Sequence, residues 1–223
     1  MKKVLLSVAC LVALSNPATS NASLITFDDM VSGVTSYGYD GDNDGNNDAV
    51  FSTTDPGGFK TIGPGPNMTY IHEPGIEGTS RLNPDLRVDF LVGAIDSLQF
   101  GYALASYSAN ANTWTNFQVF NSSGLLLASA TQSGAYTLPN GTNPSSFPEG
   151  YIQVTFAGVA SYALFDFSSD NGRYIIDDFQ GTFGQTEDIP VTPPIPEPST
   201  LLLLGAGLAG IGIFGRRKSR KSI

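Results

Sequence analysis

Short runs in which apolar and polar residues alternate make up most of the chain between residues 24 and 183. Leu98, Phe100 and Tyr102 alternate with polar or small residues, and because successive side chains of a strand point to opposite faces, they predict one apolar face. Phe117 and Val119 repeat the pattern. The pattern predicts nine strands, at residues 24–27, 49–53, 86–92, 97–104, 114–121, 125–131, 151–156, 162–168 and 174–183.

Short strands separated by turn-rich gaps predict an all-β fold, an antiparallel β-sandwich of jelly-roll type. The sequence NSSG at 121–124 lies between two predicted strands and is a hairpin signal. The 25 Gly, 14 Pro, 14 Phe and 9 Tyr residues favour turns and strands over helices. A chain of 223 residues is long enough for one domain with a real core, which we expect at residues 24–183.

The segment 54–84 departs from the strand pattern because glycine and proline occur throughout it. A loop this long on a sandwich often carries the functional site. The alternative is an irregular cover over one edge of a sheet. The sequence leaves both interpretations open.

The first 22 residues have the order of a secretory signal. Two lysines precede an apolar run at 4–14, and small residues follow at Ser20 and Ala22. We expect signal peptidase to remove residues 1–22, since the apolar run is too short to anchor the chain in a membrane. Cys10, the single cysteine, lies in this segment, so the mature protein would have no disulfide, cysteine nucleophile or thiolate metal site.

The C-terminal region contains three consecutive elements. A Pro-rich stretch at 184–198 predicts an extended linker. The apolar stretch that follows is just long enough to form a transmembrane helix at 199–215. A basic tail comes next, and the positive-inside rule keeps such a cluster cytoplasmic. The alternative is a buried core helix, but the five cations directly after the apolar run argue against it.

The order of these elements carries a family resemblance. Its marker residues are Pro196, Glu197, Pro198, Arg216 and Arg217. A Pro-Glu-Pro sequence, an apolar span and an Arg-rich end, together at 195–221, resemble a PEP-CTERM sorting signal. The resemblance implies transient anchoring in the cytoplasmic membrane and processing by a membrane enzyme called exosortase. It also implies delivery to the cell surface or extracellular matrix, in bacteria that make extracellular polysaccharide.

The charge of the exported part is strongly negative. Outside the signal and the basic tail there are only four basic residues against 19 acidic residues between 28 and 188, a net charge of −15. This charge argues against nucleic acid as a partner. Divalent cations, and neutral or cation-bridged glycans, are the partners it permits.

An aspartate-rich stretch, YDGDNDGNNDAVF at 39–51, is the most specific chemical motif of the body. Its oxygen-bearing residues have the spacing of positions 1, 3, 5, 7 and 9 of an EF-hand calcium loop, with Gly45 at position 6 for the sharp turn. Hard carboxylate oxygens in this arrangement suit Ca²⁺. The predicted ligands are the carboxylates of Asp40, Asp42, Asp44 and Asp48 and the backbone carbonyl of Asn46.

The aspartate-rich loop departs from an EF-hand at position 12, where Phe51 replaces the bidentate glutamate, and no helix pattern flanks it. It looks more like the DxDxDGxxD loops of thrombospondin type 3 repeats, in which other segments complete the calcium shell. We expect calcium to have a structural role here, since it would neutralise a loop that otherwise repels itself. The alternative is a solvated acidic turn.

A second, weaker metal site is expected where the ends of the domain meet. The pair Asp28 and Asp29 follows the first predicted strand, and the pair Asp177 and Asp178 lies in the last. The predicted ligands are Asp28, Asp177 and Asp178. These positions resemble the ends of carbohydrate-binding jelly rolls, in which the first and last strands are neighbours and often share a structural calcium ion. The alternative is that one aspartate of each pair caps a turn while the other faces solvent.

The sequence gives little support for catalysis. His72 is the single histidine, which excludes multi-histidine zinc sites. No serine lies in a GxSxG motif, so the sequence shows no marker of a nucleophilic serine. No pair of carboxylates is marked as a glycosidase pair. We therefore expect a protein that is not an enzyme.

Sugar binding requires exposed aromatic rings with polar groups beside them. The candidates are Tyr37, Tyr39, Tyr70 and Trp114. A single tryptophan at the start of a strand is more often part of the core. The prediction is an exported structural or adhesive protein that binds extracellular polysaccharide, with calcium stabilising one loop. The alternatives are a secreted glycan hydrolase and a purely structural surface protein without a small ligand.

Overall fold

The computed structural model describes residues 21–72, 74–108 and 112–184. The predicted sorting signal and the predicted helix 199–215 lie outside these residues, as does the signal peptide except for its last two positions. The described residues contain no helix that qualifies as a membrane span. They form ten strands: β1 (Asn21–Ile25), β2 (Ser36–Tyr39), β3 (Ala49–Ser52), β4 (Ile76–Thr79), β5 (Leu86–Leu104), β6 (Trp114–Phe120), β7 (Leu126–Ser133), β8 (Glu149–Thr155), β9 (Ala160–Ser168) and β10 (Arg173–Phe183).

The strands build an antiparallel sandwich in which the long strand β5 belongs to both layers. The first part of β5 pairs with β3 and β9, and its second part pairs with β8 and β10. Between the two parts, Gly93 (φ 73°) and Asp96 (φ 66°) adopt left-handed backbone, and the pairing register shifts there. One layer is β2-β3-β5-β9-β6-β7, and the other is β1-β10-β5-β8 with β4 also paired to β10. The predicted antiparallel β-sandwich is confirmed.

Aromatic rings from the two layers meet in the core. The ring of Phe100 on β5 lies 5.0 Å, between centroids, from Phe117 on β6 and 5.0 Å from Phe165 on β9. Phe179 on β10 lies 5.2 Å from Phe51 on β3. All five side chains are fully buried. The alternating pattern that the sequence shows around Phe100 and Phe117 therefore marks the inner faces of the sandwich.

The structure differs from the predicted strands in three places. Strand β2 was not predicted, because it is four residues long at a sheet edge and none of its residues is fully buried. Strand β4 is hidden in the Gly- and Pro-rich segment 54–84. The predicted break between 92 and 97 is wrong, since β5 continues through its bend. The hairpin predicted at 121–124 is confirmed, with the Leu125 N–H donating to the side chain of Asn121 over 2.9 Å.

The segment 54–84 is fixed to the second layer by two buried acids. Glu149 on β8 accepts hydrogen bonds of 2.9 Å from the backbone N–H groups of Thr69 and Tyr70. Glu77 on β4 forms an ion pair of 2.5 Å with Arg173 on β10. The segment is therefore an integral part of the fold and not a free loop.

Candidate functional site

The aspartate-rich loop connects β2 to β3. It is closed by a hydrogen bond of 2.6 Å from the N–H of Asp48 to the carbonyl of Tyr39. Asn43 (φ 58°) and Gly45 (φ 90°) supply the left-handed turns that bring its ends together. The local sequence thus produces a tight loop that brings its two ends together.

Three of the five predicted calcium ligands converge. One carboxylate oxygen from each of Asp40, Asp42 and Asp48 lies within 4.8 Å of the others. Asp44 is not in this cluster, and its Oδ1 accepts from the N–H of Asn46 over 2.7 Å and from the side-chain amide of Asn46 over 3.1 Å. The backbone carbonyl of Asn46 takes part in neither bond, and its role as a ligand remains a prediction. The three carboxylates provide the hard oxygen donors that Ca²⁺ prefers.

The same loop forms one end of a surface groove with a volume of about 410 Å³. Tyr37 and Tyr39 of β2 line it, together with Asp28 and Asp29 after β1 and with Asp40 and Asn43 of the loop. The structure therefore places two of the four predicted aromatic candidates beside the predicted calcium loop.

Tyr37 is held firmly in this groove. Its hydroxyl donates a hydrogen bond of 2.7 Å to Asp29 Oδ1, and its ring packs edge-on against Phe27 with 5.4 Å between centroids. Burial and the bond to Asp29 raise the pKa of Tyr37, so the phenol stays neutral at physiological pH. Asp28 accepts a bond of 2.7 Å from the Thr26 hydroxyl.

The other two aromatic candidates lie elsewhere. Tyr70 is 38% exposed and lies 6.2 Å from Tyr151 between ring centroids. Trp114 begins β6, opposite Ser133 and Ser168, and is half-buried. Neither lines the groove, and the prediction that they contact sugar remains a prediction.

The second predicted metal site has a different composition in the structure. Asp177 and Asp178 cluster with His72, with one donor atom from each within 4.8 Å of the others, and Asp28 is not in the cluster. Although β1 pairs with β10 as predicted, Phe27 adopts a φ of 59° after β1, and Asp28 faces the groove. A mixed set of imidazole and carboxylate donors suits a transition metal better than calcium.

The cluster depends on a bulge in β10. The pairing register with β5 shifts between Asp177 and Gln180, and Asp178 has a φ of 50°. The backbone N–H of His72 donates to Asp177 Oδ2 over 2.7 Å, and His72 Nδ1 lies 2.9 Å from Asp178 Oδ2. Burial raises the pKa of Asp177 to about 7. Sequence reasoning missed His72 because its partners are more than 100 residues away.

One comparison identifies the C-terminal region. Residues 194–220 match the PEP-CTERM protein-sorting motif, which confirms the sorting signal predicted at 195–221. The protein is therefore an exported protein that is sorted to the cell surface, and the motif implies processing by exosortase. The match covers the C-terminus alone and does not describe the β-sandwich.

The body resembles adhesin and carbohydrate-binding domains at low identity. The K2 adhesin domain of Lys-gingipain is 18% identical, over 73% of this chain and 99% of that one, with a TM-score of 0.39. A xylan-binding domain of family CBM 22 is 14% identical, over 76% and 99%, with a TM-score of 0.37. The C-terminal family 22 module of Clostridium thermocellum Xyn10B is 15% identical, over 73% and 92%, with a TM-score of 0.37. No curated protein matches the chain, and none of these likenesses assigns a role to a residue.

Proposed function

We propose that this exported protein binds extracellular polysaccharide in the groove lined by Tyr37 and Tyr39, and that it has no catalytic activity. We propose further that Ca²⁺, held by Asp40, Asp42 and Asp48, fixes the wall of the groove. The observation that carries this proposal is that Asp40 belongs both to the carboxylate cluster and to the groove lining. An ion that fixes the position of the loop would therefore also fix this wall of the groove.

The groove combines two half-buried tyrosine side chains with carboxylates, which are residue types that sugar-binding sites use. Tyr37 and Tyr39 are two positions apart on β2, so their side chains lie on the same face, about 7 Å apart along the strand. Tyrosine rings provide an apolar body with a polar end. Asp28 and Asp29 provide carboxylate oxygens that accept hydrogen bonds from sugar hydroxyls, and these bonds are stronger than those between neutral groups.

The carboxylates with the most perturbed pKa values lie outside the groove. Burial raises the pKa of Asp85 to about 6, yet both its oxygens accept backbone hydrogen bonds of 2.7 Å, from Leu82 and Phe167. Asp177, with a pKa of about 7, belongs to the cluster with His72. A glycosidase needs a raised pKa on one of two carboxylates that face its substrate. The positions of Asp85 and Asp177 thus support binding over hydrolysis.

Affinity electrophoresis tests the proposal. The ten strands between residues 21 and 183 belong to one compact unit, so the segment 23–187 can be used, in calcium, against a soluble xylan, a glucan and a mannan. We expect at least one polysaccharide to retard the wild type, and both Tyr39→Ala and Asp28→Asn to reduce the retardation. Tyr107→Ala, which removes an exposed tyrosine that does not line the groove, serves as the control. Equal retardation of all four proteins, or release of reducing ends from the polysaccharide, would contradict the proposal.

A further inference from the structure

The few cations of the body are distributed unevenly. Arg87 is paired with Asp89, and Arg173 is paired with the buried Glu77. The other two, Lys60 and Arg81, are exposed and form no ion pair within residues 21–72, 74–108 and 112–184. Both line the same cavity, of about 290 Å³, between the segment before β4 and the turn before β10.

Glycine backbone gives Arg81 its place in this cavity. Gly172, in the turn before β10, has a φ of 63°, and a Cβ there would collide with Arg81 Nε. The guanidinium group therefore lies directly against the backbone. Gly78 on β4 also lines the cavity, where a Cβ would collide with the Tyr174 hydroxyl. Gly172 thus makes room for the Arg81 side chain in the cavity wall, and Gly78 makes room for the buried side chain of Tyr174 behind it.

The two acidic residues that line the cavity do not neutralise its three basic residues. Glu77 is neutralised by Arg173, with N–O distances of 2.5 Å. Asp55 is the other acid, and its Oδ1 accepts a bond of 2.8 Å from the N–H of Gly57. The lining therefore has an excess of one positive charge in a body whose net charge is −15. An anion approaching the domain is repelled over most of the surface and attracted here.

We propose that this cavity binds the carboxylate of a uronic acid unit in the polysaccharide. The inference rests on the proposed function and adds the substrate class, an acidic glycan. Arg81 supplies a planar guanidinium that pairs with a carboxylate in bidentate fashion, and Lys60 supplies a second positive charge. Thr79 and Asn171, which also line the cavity, provide a hydroxyl and an amide for the neighbouring sugar hydroxyls.

The test compares substitutions that each remove one positive charge, inside or outside the cavity. Segment 23–187 is titrated with polygalacturonate in the presence of a chelator, which removes calcium bridges to the aspartate-rich loop. Arg81→Gln and Lys60→Gln are compared with Arg87→Gln, which removes one positive charge outside the cavity. We expect Arg81→Gln to weaken the affinity about tenfold, as the loss of a bidentate ion pair should, and Lys60→Gln to weaken it less. Arg87→Gln should change it less than twofold, and melting curves establish that each variant is folded.

Three outcomes would overturn the inference. The first is equal weakening by Arg81→Gln and Arg87→Gln, which would show that only net charge matters. The second is no binding of polygalacturonate in chelator. The third is Arg81-dependent binding of inorganic phosphate without binding of polygalacturonate, which would identify a site for free anions. A neutral galactan serves as the parallel ligand, because it has no carboxylate for the cavity to bind. Any binding of galactan in the groove should be unaffected by Arg81→Gln. The experiment therefore distinguishes failure of the proposed carboxylate site from failure of the proposed sugar site.

Discussion

The N–H of Asp48 donates to the carbonyl of Tyr39 over 2.6 Å, which ties the last carboxylate of the aspartate-rich loop to the last residue of β2. Tyr39 lines the groove, and Asp48 belongs to the carboxylate cluster. One hydrogen bond therefore connects the proposed calcium site to the proposed sugar site. The three like charges, with oxygens within 4.8 Å of one another, repel. Backbone N–H groups of Gly41, Asp44 and Gly45 donate to them, and a bound cation would offset the remaining repulsion.

Calcium should stabilise the domain through this loop. At about 100 times its Kd, a bound ion stabilises the fold by about 2.7 kcal/mol, which raises the Tm of a domain of this size by roughly 5–10 °C. Asp42→Asn should abolish most of the rise, because Asp42 belongs to the cluster. Asp44→Asn should keep most of it, because Asp44 bonds to Asn46 instead.

Melting curves of residues 23–187 with calcium and with chelator measure this difference. A sequence-based interpretation makes Asp42 and Asp44 equivalent, whereas the structure separates them. Identical curves for the wild type in calcium and chelator would show that the loop is a solvated acidic turn. Equal effects of the two substitutions would contradict the assignment of the ligands.

The buried carboxyl group of Asp177 should make the stability depend on pH. Its side chain is 1% exposed, and burial raises its pKa from 3.8 to about 7. Between these two values the folded protein holds a proton that the unfolded chain has lost, so the free energy of unfolding decreases as the pH rises from about 4 to 7. Asp177→Asn should remove part of that decrease and stabilise the protein at pH 7, by at most a few kcal/mol. The new side-chain amide offsets part of the gain, because it occupies the place of the buried Asp177 Oδ1, which has no hydrogen-bond partner within the described residues.

Denaturant titrations across this pH range, in chelator, provide the measurement. Asn can still accept the bond from the N–H of His72, so the substitution removes the charge and keeps the contact. Asp96→Asn, an isosteric change at an exposed position, is the control and should leave the pH profile unchanged. A profile for Asp177→Asn that matches the wild type would contradict this account.

Phe100 should be among the most sensitive core positions. Its ring contacts rings from both layers and is fully buried. Phe100→Ala should lower the free energy of unfolding by about 3–5 kcal/mol, from lost burial and the cavity left behind. Tyr107→Ala, at a residue that is 85% exposed, should change it by less than about 0.5 kcal/mol. Chemical unfolding measures both, and similar losses would contradict the position of the core.

The sequence alone predicts those features whose residues lie close together in the chain. The alternation around Phe100 and Phe117 reveals the inner faces, because the period of a strand is local. The aspartate-rich loop is visible for the same reason, since all its predicted ligands lie within nine residues. The sorting signal at 194–220 is likewise a contiguous pattern.

Contacts that the fold creates between distant segments are not visible in the sequence. Asp177 meets His72 across 105 residues, and Arg173 meets Glu77 across 96. The pairing of β1 with β10 ends at Ile25, and the backbone turns at Phe27. Asp28 therefore lies beyond the paired region and does not join Asp177 and Asp178. The cavity that contains Lys60 and Arg81 combines residues from three separate parts of the chain, and neither cation is unusual in its own local sequence.

The most direct test of the central claim is a map of sugar contacts on the folded domain. Isotope-labelled residues 23–187 are titrated, in calcium, with oligosaccharides prepared from the polysaccharide that causes the strongest retardation, and backbone amide shifts are followed by NMR. We predict saturable shifts concentrated at Asp28, Asp29, Tyr37, Tyr39 and Asn43, which weaken when calcium is chelated. Shifts centred on Tyr70 and Tyr151, or no saturable shifts with any oligosaccharide, would contradict a polysaccharide site in this groove.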